Sequence, residues 1–168
     1  MDNQQSIQFD HINNKIQDAL NNCQYDDYFV YSLEGYLLGY NEPLDNLVWD
    51  LLNGKTFDDF PKLEGYIRNN IDKIEIKVFI ATLYGYGYLY DKDCNKAIQI
   101  FNEAIKSNNA LAMNNLAFMY KYGYGIEQDY QEAIRLYNMA IKLNNTYAMN
   151  NLAHMYKCGE GVKRDYRE

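Results

Sequence analysis

Residues 110–145 read ALAMNNLAFMYKYGYGIEQDYQEAIRLYNMAIKLNN. The hexapeptide Ala-Met-Asn-Asn-Leu-Ala inside this stretch, at 112–117, returns unchanged at 148–153, 36 positions on. The same shift carries Met119, Tyr120 and Lys121 onto Met155, Tyr156 and Lys157, and Gly123 and Gly125 onto Gly159 and Gly161. Asp129, Tyr130 and Glu132 fall on Asp165, Tyr166 and Glu168. The reverse shift matches Ala81, Tyr84, Gly87, Asp93, Ala97, Ile98, Phe101, Ala104, Ile105, Lys106, Asn108 and Asn109 by identity or type. A fixed period of this length marks a repeat array, in which one unit buries its apolar face by stacking on the next.

Each unit reads as two helices. At about 100° per residue, Ala112, Met113, Leu116, Met119 and Tyr120 share one apolar stripe. Asn114, Phe118, Lys121 and Tyr122 take the opposite face, expected toward solvent, and Ala117 sits between, small enough for close helix approach. In the second helix Ala133, Ile134, Tyr137, Ala140 and Ile141 form the stripe, while Gln131, Arg135, Asn138 and Lys142 face water. Gly123 and Gly125 supply the positive φ that ends the first helix. Asp129 caps the second, with Glu132 three residues on completing a capping box. Asn108-Asn109 and Asn144-Asn145 suit the turns between units, because Asn tolerates left-handed backbone.

These residues resemble the Sel-one-like repeat family, relatives of the tetratricopeptide repeat. The pattern is carried by Ala112, Leu116-Ala117, Tyr120, Gly123-Tyr124-Gly125-Ile126, Asp129, Glu132-Ala133 and Ala140. It returns as Ala148, Leu152-Ala153, Tyr156, Gly159-Glu160-Gly161-Val162 and Asp165. Ala replaces the usual Gly after Leu, and in the first unit Leu89 stands where the second turn Gly belongs. The resemblance implies an all-α fold, a right-handed α–α superhelix (solenoid) of antiparallel helix pairs, and a protein–protein adaptor role. Cysteine-rich relatives with a Cys pair in each repeat are linked to β-lactam binding or hydrolysis; Cys94 and Cys158 form no such pair, so that activity is not implied here.

The repeats are expected at 78–109, 110–145 and an incomplete 146–168, preceded by a helical N-terminal cap over 1–77. In the cap, Phe9, Ile12, Ile16, Ala19 and Leu20 mark an amphipathic helix. Shifted by 50, Phe29, Leu33, Gly35, Tyr36 and Tyr40 fall on Phe79, Leu83, Gly85, Tyr86 and Tyr90, and Leu47, Val48 and Leu51 on Ala97, Ile98 and Phe101, a degenerate helix pair. A further helix is expected around FPKLEGYIRNN, with Phe60, Leu63, Tyr66 and Ile67 apolar; a rival register pairs it with a helix at 45–53. Pro43 and Pro61 lie near helix starts, where a missing N–H costs little. Glu168 falls as a second helix should begin, so the array is expected either to be truncated or to self-associate through an open end.

Apolar residues are 48% and charged residues 23% of 168, enough to bury a core. The net charge of −7 is uneven: 14 acidic and 6 basic side chains over 1–77 give −8, and 9 and 10 over 78–168 give +1. No basic stripe exists, which argues against nucleic acid, and no apolar run is long enough for a membrane. With no signal peptide at its start, the chain reads as intracellular and cytoplasmic. The 18 Tyr and 21 Asn are both spelled by A/T-rich codons, as in A/T-rich parasites and giant DNA viruses. Cys23, Cys94 and Cys158 are read as free thiols.

No catalytic cluster, cofactor motif or metal-ligand spacing such as His-x3-His is visible; His11 and His154 stand far apart, and GYGYLY at 85–90 lacks the third Gly of a dinucleotide loop. An enzyme is therefore not expected. The functional bet is the concave face, where stacking should set Asn114 beside Asn150, Phe118 beside His154, Lys121 beside Lys157 and Tyr122 beside Cys158, with Thr82 and Tyr86 extending the row. Asn can bond a peptide backbone, the two Lys can attract an acidic segment, and the aromatic rings can anchor it. An adaptor for a protein or peptide is favoured; the alternative is a self-associating structural component, such as that of a virus particle.

Overall fold

The computed structural model describes residues 3–22, 24–37 and 57–161. Among them are eight α-helices and one short 3₁₀ turn, with no strand, and no helix is long and apolar enough to cross a membrane. The chain divides into two units, residues 1–77 with 87–91, and residues 78–86 with 92–168.

The first unit holds α1 (Asn3–Asn21), α2 (Tyr25–Leu37), the 3₁₀ turn Phe57–Asp59 and α3 (Pro61–Asn69). α1 packs on α2, and α2 on α3. Their core is Ile12, Ala19, Tyr28, Phe29, Leu33, Phe60, Leu63 and Ile67, with Phe29 and Phe60 edge-to-face at 5.0 Å. α3 is the helix read around FPKLEGYIRNN, and Pro61 occupies its first turn. Phe60 gives it no side-chain cap. Instead the Asp26 carboxylate accepts from the Lys62 and Leu63 N–H groups, each at 2.8 Å, so the helix start is satisfied from α2. Pro43, the helix at 45–53 and its rival pairing, Cys23, and the side chains of Phe9 and Leu20 lie outside the described residues.

The second unit contains the C-terminal part of α4 (Ile74–Tyr86), then α5 (Cys94–Lys106), α6 (Ala110–Tyr122), α7 (Tyr130–Lys142) and α8 (Thr146–Cys158), the last four of 13 residues each. α5 packs on α6, α6 on α7 and α7 on α8. The sequence period is physically a repeated joint. Asn108 and Asn144 turn through φ of 56° and 61°; Asn109 and Asn145 then accept from the N–H of Ala112 and Ala148 at 2.9 and 2.8 Å, capping α6 and α8. Gly123 and Gly159 end those helices in the left-handed region. A Cβ on Gly125 would stand 2.2 Å from Cys94 Cβ, and one on Gly161 2.4 Å from Tyr130 Cβ, so these turns press against the start of the preceding second helix. Leu89, where a Gly was missing, adopts φ 56° all the same.

Three expectations are corrected. Asp129 caps α7, accepting from the N–H of Gln131 and Glu132, but no capping box closes: its own N–H donates to the Tyr120 carbonyl at 3.0 Å, and the Glu132 carboxylate holds Arg135 at 2.6 Å. Leu136 is buried in α7, whereas Ile134 and Ile141 are only partly covered. Asn114 and Lys121, placed on the solvent face of α6, are buried, as is Thr82 on α4. A wheel drawn for one helix pair misses the reason: in an array, that face abuts the first helix of the adjacent unit.

Candidate functional site

The repeated Asn pair joins the first helices. Asn151 Nδ2 donates to Asn114 Oδ1 at 3.0 Å, and Asn114 Nδ2 to Asn115 Oδ1 at 3.2 Å. Asn115 Nδ2 donates to Thr82 Oγ1 at 2.8 Å, and that hydroxyl donates to the Val78 carbonyl at 2.9 Å. One line of donors thus runs from α8 through α6 to α4. Asn114 meets Asn151 rather than Asn150, and Lys121 meets His154 rather than Lys157. These polar contacts between first helices join residues 33 or 37 apart, not 36. Neighbouring helices are staggered, and each side chain leans along its own axis. The row expected for peptide backbone binding therefore holds the array together at Thr82 and Asn114.

Beside this ladder lie two grooves related by the period. The first, between α4 and α6, is aromatic. Phe118 is its hub, with ring centroids 6.1 Å from Tyr86, 4.5 Å from Tyr122 and 6.0 Å from Tyr124. Tyr122 and Tyr124 stack at 5.6 Å. Tyr86, Tyr122 and Tyr124 are each 43% exposed, a large apolar area to leave uncovered. Beside Tyr86, Phe118 and Tyr124 lies a small, shallow recess of about 20 Å³, lined also by Gly85, Phe101 and Met119. Lys92 holds its ammonium 5.3 Å from the Tyr124 centroid.

The second groove, between α6 and α8, has the same plan and other chemistry. Lys121 replaces Gly85, Tyr137 replaces Phe101, His154 replaces Phe118 and Glu160 replaces Tyr124. Lys121, whose side chain is only 3% exposed, lies 2.9 Å from Glu160 Oε2, an ion pair without hydrogen-bond alignment. Its ammonium also lies 3.2 Å from His154 Nδ1 and 4.8 Å from the Tyr122 centroid. Burial lowers the Lys121 pKa, but pairing with Glu160 and Tyr122 outweighs it, and the net pKa lies above the ordinary lysine value. The Tyr137 hydroxyl is buried and has no hydrogen-bond partner among the described residues; burial first, then the neighbouring Tyr122, raises its pKa.

The nine residues expected to bind a partner thus separate. Thr82, Asn114 and Lys121 are buried and committed to internal partners. Tyr86, Phe118 and Tyr122 come together in the aromatic groove. Asn150, His154 and Lys157 are exposed on α8. The sequence reading missed Tyr124 and Gly85, which the period could have supplied, since both are places where one unit departs from the next. It also passed over three possible metal ligands. His154, Cys158 and Glu160 bring one donor atom each within 4.8 Å of one another, the first two through i,i+4 spacing on α8. The Lys121 ammonium already supplies positive charge at that cluster, against a second cation. Cys94 and Cys158 are free thiols.

The Sel1 repeat model matches residues 78–109, 110–145 and 146–168. No curated protein matches the chain. Among solved structures, a Sel1 repeat protein from Oxalobacter formigenes is similar at 23% identity and a TM-score of 0.55, over 66% of this chain and 46% of that one. A protective antigen present in uropathogenic Escherichia coli strains, displaying an SLR fold, is similar at 16% identity and a TM-score of 0.50, over 83% of this chain and 27% of that one. The chain spans less than half the length of either. These likenesses fix an all-α helical-repeat fold.

Proposed function

The chain belongs to the Sel1 repeat family, and from that premise we propose that it is a scaffold holding a peptide or protein segment along the face of its first helices. One observation carries the reading: Tyr86, Tyr122 and Tyr124, gathered around Phe118, are each left 43% exposed beside a shallow recess. Rigid amphipathic rings of this kind anchor interfaces at low entropic cost. Of the two lysines expected to attract an acidic segment, Lys121 is neutralised internally by Glu160, and Lys157 is exposed on α8. The test is a displayed peptide library panned on the whole chain and on a Tyr86→Ala/Tyr122→Ala variant. Both side chains are exposed, so the variant should fold. Selected peptides are expected to lose at least about tenfold in affinity, the scale of an aromatic hot spot. Undiminished binding would move the site elsewhere.

A second reading, self-association through α8, is favoured by one contrast: Met113 is 1% exposed, whereas Met149, its equivalent, is 41% exposed. A Met149→Glu variant should then sediment as a smaller species than the parent chain; identical sedimentation removes this reading.

A further inference from the structure

We propose that the recess over Gly85 is a pocket for a long, unbranched cationic side chain of the bound segment, with methylated lysine as its best occupant. The proposal rests on the scaffold reading and narrows it to a chemistry.

The molecule carries its own image of the occupant. One period on from Gly85 stands Lys121, whose chain runs buried into the equivalent groove and sets its ammonium 4.8 Å from the Tyr122 centroid. Tyr86 is the equivalent ring in the first groove, and the places of His154 and Glu160, which also surround that ammonium, are taken by Phe118 and Tyr124. A lysine-like chain entering the first recess from solvent brings its cationic head among three aromatic rings, Tyr86, Phe118 and Tyr124. Aromatic faces attract cations, and quaternary ammonium groups are the cations such cages recognise best. The Tyr124 ring already holds a cation, the exposed Lys92 ammonium at 5.3 Å, which an entering cation must displace into solvent.

The differences between the grooves set the preference. Glu160 gives Lys121 a carboxylate at 2.9 Å, whereas the tyrosine in its place offers only a ring face. A bare ammonium would lose hydration there with no counter-ion in return; a methylated one is weakly hydrated and loses less. Gly85 is what keeps the recess open, and it is not strained: a Cβ there would meet only Ala97 Cβ, at 3.7 Å.

The test titrates the whole chain, followed by NMR, with three short peptides that are identical except for one central residue: trimethyl-lysine, lysine or neutral norleucine. Trimethyl-lysine should bind best, and norleucine about five- to thirtyfold more weakly, the span of a cation–π contact from exposed to desolvated. Gly85→Lys should plug the recess as Lys121 plugs its own groove. It should fold with a thermal midpoint near the parent's, because the helix propensity lysine gains over glycine in a last turn is offset by an ammonium that has no carboxylate there, and it should no longer bind trimethyl-lysine. Gly85→Ala controls for the backbone. Equal binding of norleucine and trimethyl-lysine overturns the proposal, as does unchanged binding by Gly85→Lys or no binding of any of the three. If the library-selected peptides still bind and are still lost in Tyr86→Ala/Tyr122→Ala, the scaffold reading survives that failure; if they too fail, both fall.

Discussion

The α4–α6 groove and the α6–α8 groove are two versions of one address. In the first, Gly85 leaves a shallow recess beside the aromatic rings. In the second, Lys121 fills the equivalent space and is held by Glu160 and His154. What stays constant between them is the joint: the left-handed glycines, the Asn caps, and the Asp that accepts from the first N–H groups of the second helix. Backbone conformation and helix ends admit few residues, so the period persists there. The groove requires only that its wall be covered, and a ring, an imidazole or an ion pair can all cover it. Identity along the repeat therefore marks stacking, and departure from it marks what each groove has become.

The strongest way to break this comparison is at the joint. Gly125→Ala puts a Cβ 2.2 Å from Cys94 Cβ at a residue with φ +68°, and Gly161→Ala does the same against Tyr130 at 2.4 Å. The contacts are between rigid atoms, so the turns must open. Each substitution should cost about 3 kcal/mol or more, lowering the thermal midpoint by roughly 6–12 °C for a chain of this size. Calorimetry on both variants checks it. A joint that tolerated the methyl group while its counterpart did not would mean the two are not one structural element.

Next in size is the plug. Lys121→Met keeps the unbranched stem and removes the charge, leaving Glu160 without its cation. The Glu160 side chain is 26% exposed and can recover some hydration, so the loss should be about 1–2 kcal/mol, below the 3–5 kcal/mol of a fully buried broken pair. Glu160→Gln in the same chain should restore part of it. Urea midpoints of the two single variants and the double variant measure the coupling; simple additivity would show that the ion pair only decorates a packed lysine stem.

The array was legible because stacking stamps itself on sequence at a fixed interval. The glycine turns and the Asn turns come from joints, the hexapeptide from the packed face and Asn ladder of the first helix, and α5 to α8 follow them. The site was legible only in part. Phe118, Tyr86 and Tyr122 were found as aromatic residues on one helix face, and they do converge. Lys121 and Asn114 were misread because amphipathicity reports on one helix pair, whereas their burial comes from an adjacent repeat with a stagger that no single-helix wheel contains. Tyr124 was missed because it lies between two turn glycines, where the eye reads backbone. The caps by Asn109 and Asn145 were read as turns, and the cap on α3 was hidden because its donor groups and Asp26 stand far apart in sequence.

The ladder between the first helices offers a smaller test. Asn114→Ala removes an acceptor for Asn151 and a donor to Asn115. The partners are half-buried and can find some water, so about 1 kcal/mol should be lost. Asn114→Leu with Asn151→Leu removes both ends of the α6–α8 rung and should cost less than the two single changes summed, because no polar group is stranded between them. A fully additive double-mutant cycle would deny the rung any role in joining the repeats.

The smallest effect is also the most selective for the second groove. Tyr137→Phe installs what the first groove already has in Phe101 and removes a buried hydroxyl that finds no partner among the described residues. At neutral pH the variant should gain about 0.5–1 kcal/mol, the cost of one stranded polar group partly offset by local relaxation. The sign of the pH dependence follows from burial, which raises the folded-state pKa of Tyr137 above the ordinary 10.0. Only the protonated phenol fits the core, so its contribution is intact below pH 10 and is lost as the unfolded chain begins to ionise. At pH 10.5 this linkage has cost the parent roughly 0.8 kcal/mol relative to pH 7, and the phenylalanine variant escapes it. Lys121, whose folded pKa is also raised, weakens both chains alike above its ordinary 10.5 and cancels in the difference. Denaturation midpoints at pH 7, 9 and 10.5 should therefore show a gap between variant and parent that is flat over the first two and wider at the third. A gap that stayed flat throughout would mean that the Tyr137 hydroxyl reaches solvent and that the second groove is open at its floor.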